Sequence, residues 1–285
     1  MIINSINTGN FKLDGGAMFG VVPKSIWNKT NPADANNLCD WAMRSLLIEQ
    51  KNQLILIDTG IGNKQDDKFF SHFHLTETDL FEAKLNKLGY TKSDITDVFL
   101  THLHFDHCGG AIQWNKNKTG FEPTFTNATY WSNEKHWQWA VEPNPREKAS
   151  FLKENILPIQ ESGQLKFIPR SGNTTENIFN NIDTFFVDGH TESMMLPKIS
   201  YKGKTIVFMA DLLPSIGHLP LPYIMGYDTR PLITMTEKEK FLVEAVEKEY
   251  ILFFEHDNVN ECCTVKQTDK GVRVDQTFSL DVFFN

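Results

Sequence analysis

Apolar runs alternate with polar, loop-forming stretches along the chain, and they predict its strands. The runs are rich in Ile, Leu, Val and Phe and nearly continuous, which is typical of strands that are covered on both faces. The sequence YKGK at 201–204 predicts a hairpin turn after a strand near 195–200. The other predicted strands are 41–49, 53–58, 97–102, 181–190, 205–211 and 250–256.

A second pattern places apolar residues three and four positions apart and predicts helices between some of the strands. Gly89 is a natural end for one of these helices. Thr236 and Glu239 have the spacing of a capping box and predict the start of another. The predicted helices are 77–90, 132–141 and 235–250, and the predicted loop-rich segments are 59–76 and 212–236.

The length of the chain allows one large globular domain or two modest ones. The chain has 285 residues, of which 40% are hydrophobic and 22% charged, a balance that can bury a sizeable core. We find no internal repeat and no linker that would separate two domains. The sequence therefore predicts a single α/β domain over residues 1–285.

The net charge and the length of the apolar runs argue against nucleic-acid and membrane partners. The net charge is −8, and no block of Lys or Arg forms the basic stripe that a nucleic-acid binder needs. No apolar run approaches the roughly 18–20 residues that span a bilayer, and residues 1–16 lack the features of a signal peptide. The sequence predicts a cytoplasmic protein without nucleic-acid or membrane partners. Cys262 and Cys263 could form a vicinal bridge, although reduced thiols are expected in that compartment.

Polar residues stand at the C-terminal ends of five apolar runs. These residues are Asp58, His102, His190, Asp211 and His256. Open α/β sheets collect their chemistry at that edge, because rigid strands aim several side chains at one point. A shared site explains the pattern more simply than coincidence.

The run THLHFDHCGG at 101–110 holds three histidines and one aspartate within six residues. His102 and His104 share a face of an extended segment, so both can bind one cation. Asp106 and His107 follow where the chain turns and can face a second cation. Packing so many ionisable groups together without a metal would cost desolvation with no compensation. The remaining histidines are predicted to be surface or loop residues; they are His72, His74, His136 and His218. His218 is the strongest candidate among them for a role in the site, because it lies in the loop just after Asp211.

This run resembles the HxHxDH signature of the metallo-β-lactamase superfamily. DTG at 58–60, GHT at 189–191, Asp211 and His256 resemble the superfamily's other motifs in the right order. The resemblance covers roughly residues 40–260. It implies a four-layer αββα sandwich, in which two mixed β-sheets are flanked by helices and metals bind at one end.

The resemblance also implies two divalent metal ions per chain. Zn²⁺ suits the imidazole and carboxylate ligands, and Mn²⁺, Fe²⁺ and Co²⁺ also fit. Asp58 would orient a histidine ligand, and Cys108 would form part of the wall. The implied ligands are His102, His104 and His190 for the first ion, Asp106, His107 and His256 for the second, and Asp211 as the bridge.

Two such ions would lower the pKa of a bridging water toward neutrality and supply hydroxide near pH 7. Asp106 is the candidate catalytic residue, because it can orient the hydroxide or carry its proton. These features predict direct hydrolytic attack on an ester, lactone, thioester, amide or phosphoester.

Within the superfamily, the chain is most similar to the N-acyl homoserine lactonases and the methyl parathion hydrolases. The shared features are a long interval between His107 and His190, the segment 11–27, and the stretch 210–228. This resemblance implies a small-molecule substrate, namely a lactone or an aryl ester or phosphotriester. It also implies an N-terminal extension over 1–35 near the pocket, and it makes a homodimer a possibility.

One departure from that branch concerns a tyrosine that small lactonases carry shortly after the bridging aspartate. Here Leu212 follows Asp211, and Tyr223, Tyr227 or His218 would have to take the role if it exists. Two alternatives stay open: a thioester hydrolase of the hydroxyacylglutathione type and a non-catalytic metal-binding module. The first lacks its basic C-terminal cluster here, and the second would be expected to have lost a ligand.

Overall fold

The computed structural model describes residues 1–78 and 80–284 and divides into two compact units. Unit 1 is Met1–Phe11 with Met43–Arg170, and unit 2 is Lys12–Ala42 with Ser171–Asn285. Both divisions fall inside long strands of 13 residues: one lies between Phe11 and Lys12 in the first strand, and the other between Ala42 and Met43 in the second. The single domain predicted over 1–285 stays a prediction.

Strands and helices follow one another along the whole chain. The strands are β1 Ile2–Asp14, β2 Leu38–Gln50, β3 Gln53–Ile57, β4 Asp97–Phe99, β5 Ile112–Trp114, β6 Phe121–Pro123, β7 Thr129–Ser132, β8 Leu165–Phe167, β9 Thr174–Phe179, β10 Ile182–Val187, β11 Met194–Tyr201, β12 Lys204–Phe208, β13 Ile251–Phe253, β14 Cys262–Thr268 and β15 Gly271–Phe278. The helices are α1 Gly15–Phe19, α2 Lys24–Trp27, α3 Asp67–Ser71, α4 Leu80–Lys87, α5 Phe105–Cys108, α6 Glu134–Val141, α7 Lys153–Glu161, α8 Pro231–Glu247 and α9 Leu280–Phe284. Among the described residues, every helix is too short or too polar to span a bilayer.

Unit 1 is built on a six-stranded mixed sheet in the order β1-β2-β3-β4-β7-β8. Strands β3, β4, β7 and β8 run parallel, so their carboxyl ends lie at one edge, whereas β2 pairs antiparallel with β3. β5 and β6 form a separate two-stranded ribbon. A buried core unites the strands with the helices; it includes Leu56, Val98, Tyr130, Leu85, Trp137 and Ile156.

Unit 2 is built on a seven-stranded mixed sheet in the order β15-β14-β13-β12-β11-β10-β9. β12 and β13 are parallel, and the other neighbours are antiparallel. The carboxyl ends of β12 and β13 therefore lie side by side. Helix α8 packs on this sheet, where Phe241 stacks on Phe185 of β10 with the ring centroids 5.5 Å apart.

The predicted α/β class, with mixed sheets and helices, is confirmed. Every predicted strand overlaps an observed one, and the three predicted helices correspond to α4, α6 and α8. Asp79, within the predicted helix 77–90, lies outside the described residues.

One predicted helix boundary is wrong. Helix α8 begins at Pro231 instead of near Thr236, because proline suits the first turn, where its missing N–H is not needed. The Thr236 hydroxyl donates to the carbonyl of Leu232 inside the helix, so it forms no capping box. The segment 59–76, predicted as loop-rich, also contains the short helix α3, whose N-terminus is capped by the Asp66 carboxylate.

Candidate functional site

The four candidate ligands of unit 1 follow the end of strand β4. His102 and His104 lie in the extended chain after β4, and His104 is the N-cap of helix α5. Asp106 and His107 lie on α5 itself, so the turn predicted after the second histidine is one turn of helix. All four side chains are buried. The connectivity of one short segment therefore brings them together.

The first two imidazoles converge. His102 Nε2 lies 3.1 Å from His104 Nδ1, and the two ring planes cross at 78°. Two buried imidazole nitrogens directed at one point match the donor set of a Zn²⁺ site. This part of the structure fits a divalent metal ion.

Asp58 orients the third histidine, as the sequence predicts. Its carboxylate accepts hydrogen bonds from the N–H and hydroxyl of Thr101, at 2.8 and 2.6 Å, and lies 3.0 Å from His107 Nδ1. With the Nδ1 proton directed at Asp58, Nε2 of His107 is the nitrogen left for a metal. Asp58 also has a positive φ of 53°, an uncommon conformation for a non-glycine residue that is typical of functional positions.

The turn after the ligands is tied to the loop that follows β3. The N–H and hydroxyl of Thr59 both donate to the carbonyl of His107, at 2.7 and 2.9 Å. A Cβ on Gly109 would collide with the carbonyl of Ile61, so this close approach of two backbones requires glycine. The Lys64 ammonium donates to the Gly109 carbonyl. The ligand segment is therefore held by backbone contacts as well as by side chains.

Cys108 lies beside these ligands but has the properties of a wall residue. It is fully buried, and its thiol donates to the carbonyl of Leu103 at 3.3 Å. Burial raises the pKa of the thiol to about 12, which keeps it protonated. A metal would bind the thiolate, so Cys108 in this environment is a poor ligand.

Sequence reasoning missed two residues of the 115–165 region that support the histidines. Glu147 is buried; its carboxylate accepts from Trp139 Nε1 and Asn144 Nδ2, each at 2.6 Å, and lies 3.4 Å from His104 Nε2. His136 is fully buried, and its Nε2 accepts the N–H of Leu103 at 2.9 Å. The prediction that His136 is a surface or loop residue is wrong.

The remaining candidate ligands belong to unit 2 and come from three separate segments. His190 follows β10, Asp211 follows β12 and His256 follows β13. All three are buried. Ala210, directly before Asp211, has a positive φ of 40°, so an uncommon backbone conformation precedes the carboxylate.

The Asp211 carboxylate presents one oxygen to each of two histidines. Oδ2 lies 3.0 Å from His190 Nε2, and Oδ1 lies 3.2 Å from His256 Nε2. The opposite ring nitrogens are held elsewhere: His190 Nδ1 lies 2.8 Å from Asp228 Oδ1, and His256 Nδ1 lies 2.8 Å from the Ala42 carbonyl. Both Nε2 atoms are therefore directed at a carboxylate whose two oxygens could serve two ions.

The charge of this cluster calls for a cation. Burial lowers the pKa of His190, but the carboxylates of Asp211 and Asp228 outweigh that effect and raise it to about 10. A divalent ion satisfies the same excess of buried negative charge as the proton does. The donors of unit 2 therefore also fit a metal.

His218 lies in the loop after Asp211, as predicted, but it is a buried packing residue of unit 2 and not a surface residue. The ring is fully buried and stacks on Phe19, with the centroids 4.3 Å apart. Its Nε2–H donates to the Met18 carbonyl, and its Nδ1 accepts from the Ser215 hydroxyl, both at 2.9 Å. Burial lowers the pKa of His218 to about 3, so the ring is neutral. His72 and His74 are exposed, as predicted.

His218 joins the N-terminal segment to residues 212–230, which we call the Asp211 loop. The N–H of Gly226 in this loop also donates to the Ala17 carbonyl, at 2.7 Å. Tyr227 of the loop is exposed and Tyr223 is half-buried. The approach of residues 1–35 to a substrate pocket stays a prediction.

Comparison with known proteins decides the family. A family profile described as the metallo-β-lactamase superfamily matches residues 44–256.

The chain belongs to the metallo-β-lactamase superfamily.

Solved structures agree with this membership. The structure of a metal-dependent hydrolase described as probable, from Staphylococcus aureus, has a TM-score of 0.86 and 29% identity, covering 97% of this chain and 96% of that one. AidC, described as a dizinc quorum-quenching lactonase in complex with a product, has a TM-score of 0.79 and 22% identity, covering 97% and 95%. The metallo-β-lactamase fold predicted from the sequence is confirmed.

Sequence relatives match over a shorter region. An N-acyl homoserine lactonase of Bacillus cereus is 30% identical over 96 residues, which are 30% of this chain and 37% of that protein. The chain spans about a third of the length of the curated relatives it matches. The predicted membership of the metallo-β-lactamase superfamily is confirmed. The metallo-β-lactamase fold implies divalent metal ions, typically zinc, and the donors of both units fit them.

Proposed function

We propose that the protein is a dinuclear metal-dependent hydrolase of lactones, with N-acyl homoserine lactones as the preferred class. The observation that carries the proposal is the Asp211 carboxylate, which directs one oxygen at each of two buried imidazoles. A carboxylate in this arrangement can join two metal ions. Aryl esters and phosphotriesters would be secondary substrates of the same chemistry.

We propose seven ligands for the two ions. The donors of unit 1 supply adjacent nitrogens of His102 and His104, and those of unit 2 supply the shared carboxylate. The proposed ligands are His102, His104 and His190 for one ion, Asp106, His107 and His256 for the other, and Asp211 for both. Zinc is the expected metal for such nitrogen and oxygen donors.

When bound, such ions supply Lewis-acid activation of water and of the electrophilic oxygen. Asp106 takes the proton of the attacking water and returns it to the leaving alkoxide as the ring C–O bond breaks, so the product is a hydroxy acid. Asp106 suits this role because its side chain is nearly buried, and its Oδ2 lies 3.8 Å from His107 Nε2. Asp58 and Asp228 keep their histidines oriented throughout.

An aromatic cluster beside Asp106 supports a substrate with an apolar group. Phe105 directly precedes Asp106 and packs against Phe69 and Phe73, with centroids 5.4 and 4.8 Å away. All three rings are only half-buried, whereas a core cluster would be closed to solvent. A half-open aromatic surface of this kind suits an acyl chain and excludes water from it.

The relatives support the same substrate class. AidC is described with the product N-hexanoyl-L-homoserine, and the Bacillus cereus relative is named an N-acyl homoserine lactonase. A related solved structure is described with N-decanoyl-L-homoserine bound at its active site. The homodimer that the resemblance implies stays a prediction, which light scattering on the purified protein tests.

A substrate panel tests the proposal. The zinc-loaded protein is assayed with N-hexanoyl and N-decanoyl homoserine lactones, 4-nitrophenyl acetate, a phosphotriester and S-lactoylglutathione. We expect kcat/KM to be greatest for the lactones and turnover to vanish after chelation. Asp106→Asn should lose most of the turnover of the lactones. Asp269→Asn, at an exposed position in a turn of unit 2, is the matched control and should keep it. Turnover of the thioester alone would show that the lactonase proposal is wrong.

A further inference from the structure

Lys238 is a buried lysine in the middle of helix α8, in unit 2. Its side chain has no exposed surface, and Nζ donates to the carbonyls of Pro220, Leu221 and Tyr223 at 2.9, 3.4 and 2.9 Å. The three carbonyls belong to the Asp211 loop. The ammonium therefore holds this loop on the helix.

Three carbonyl dipoles that point at one spot repel one another unless a cation lies between them. They converge because the chain turns tightly there, with the N–H of Tyr223 donating to the Pro220 carbonyl at 2.9 Å. A lysine ammonium has three N–H groups, one for each carbonyl. Burial lowers the pKa of Lys238 to about 7, and the negative charge of Asp228 acts in the opposite direction. Burying an ammonium is costly, and the three carbonyls offset that cost because each accepts one of its N–H groups.

The end of the Asp211 loop contacts His190, another candidate ligand of unit 2. Asp228, near the end of the loop, lies 2.8 Å from His190 Nδ1. The next two residues bind the backbone on either side of that ring: the Thr229 N–H donates to the His190 carbonyl at 3.0 Å, and the Arg230 N–H donates to the Gly189 carbonyl at 2.9 Å. The loop thus begins beside one candidate ligand and supports another.

We propose that Lys238 is a positioning residue, whose ammonium acts as a tethered cation that shapes the Asp211 loop and thereby places Asp228 against His190. The proposal rests on the proposed function in one respect, namely that His190 is a metal ligand. Lys238 has no contact with the reacting atoms in this scheme. Its effect on catalysis passes through the orientation of His190.

Lys240 offers a matched control, because it lies two residues further along α8 and is exposed. The test compares Lys238→Met with Lys240→Met by two readouts that need no substrate. One is zinc affinity, measured by competition with a chelator, and the other is chymotryptic cleavage within the Asp211 loop under native conditions. We expect Lys238→Met to weaken zinc binding about tenfold or more and to speed cleavage, while Lys240→Met changes neither.

A double-mutant cycle separates positioning from a general loss of stability. If Lys238 acts through Asp228, Lys238→Met should weaken zinc binding in the wild type but change it less than about twofold in an Asp228→Asn background. Equal losses in the two backgrounds, or no loss in either, would overturn the proposal.

Lys238→Arg keeps the test open if Lys238→Met does not fold. Arginine retains the charge and several donors, so we expect zinc affinity closer to that of the wild type than to that of any apolar variant. A folded Lys238→Arg protein with zinc binding weakened tenfold or more would contradict the need for a cation. Neither readout involves turnover. Inactivity toward lactones would therefore refute the proposed function, whereas zinc affinity and chymotryptic cleavage would still decide the role of Lys238.

Discussion

The two clusters of candidate ligands are assembled in different ways. In unit 1 the four side chains come from one segment of six residues after β4. The N–H and the hydroxyl of Thr59 both donate to the His107 carbonyl and tie that segment to the neighbouring loop. In unit 2 the three side chains come from the ends of three strands, and their orientation depends on Asp228 and the Ala42 carbonyl.

This difference shows where each cluster is vulnerable. Chain connectivity keeps the unit 1 ligands close together whatever happens elsewhere, so the supporting residues there mainly set ring orientation. The unit 2 ligands are neighbours only in the folded chain, and a loop anchored on α8 supplies the carboxylate that orients His190. We therefore expect substitutions outside the cluster to matter more in unit 2.

The largest effect is expected at the residue that we assign to chemistry. Asp106→Asn removes a carboxylate that can carry a proton while it keeps the shape of the side chain. We expect kcat to fall by roughly 10²–10⁴-fold, with the far-ultraviolet circular dichroism unchanged. Assays at saturating zinc measure this effect. A rate near that of the wild type would remove Asp106 from the mechanism.

A pair of aspartate substitutions compares the two clusters directly. Asp58→Asn in unit 1 and Asp228→Asn in unit 2 each remove the charge that faces a histidine Nδ1. We expect zinc affinity to fall about 10–100-fold, with the larger fall in Asp228→Asn. Asp58→Asn should also lower the free energy of unfolding by about 2 kcal/mol, because the buried carboxylate accepts two hydrogen bonds from Thr101. If Asp228→Asn bound zinc as tightly as the wild type, His190 would not be a ligand.

A smaller effect is expected at Glu147, whose contact with His104 is longer, at 3.4 Å. Glu147→Gln keeps the side-chain size but weakens the orientation of that imidazole. We expect zinc affinity to fall by about tenfold or less. Glu142→Gln, at an exposed position near the end of α6, is the matched control. A loss as large as that of Asp58→Asn would mean that Glu147 does more than orient the ring.

The smallest effect concerns the packing around His218. Its pKa is about 3 in the folded protein and about 6.5 when exposed, so the unfolded chain binds more protons between these values. The stability that His218 contributes is therefore fully present above pH 6.5 and is lost as the pH falls toward 3. The free energy of unfolding of the wild type, minus that of His218→Gln, should therefore fall by about 2 kcal/mol between pH 7.5 and pH 5.

Denaturant titrations of the metal-free proteins at the two pH values measure this change. The histidines common to both proteins cancel in the difference. A difference that is equal at pH 7.5 and pH 5 would contradict the neutral, buried state of His218.

The sequence predicts features that depend on residues close together in the chain. The spacing of His102, His104, Asp106 and His107 identifies the unit 1 cluster, and the apolar runs identify the central strands. The ends of those runs also indicate the unit 2 residues, although their proximity in space follows only from the pairing of the strands.

Residues that act through long-range contacts could not be predicted in this way. His136 supports Leu103 from a helix that follows another strand, and Lys238 reaches carbonyls 15 to 18 positions away. A lysine in a helical pattern is usually a solvated residue, and no sequence neighbour indicates its burial. The start of α8 is ambiguous in the sequence for a related reason, since Pro231 and Thr236 are both acceptable first residues when considered locally.

Elemental analysis of the purified protein, combined with assays after chelation, tests the central claim most directly. That claim is that the clusters of both units hold metal and that hydrolysis depends on it. We expect roughly two divalent ions per wild-type chain, loss of turnover when they are removed, and recovery when zinc is restored. His104→Ala and His256→Ala should each lower the metal content. Full turnover by a chain from which all metal has been removed would contradict the claim.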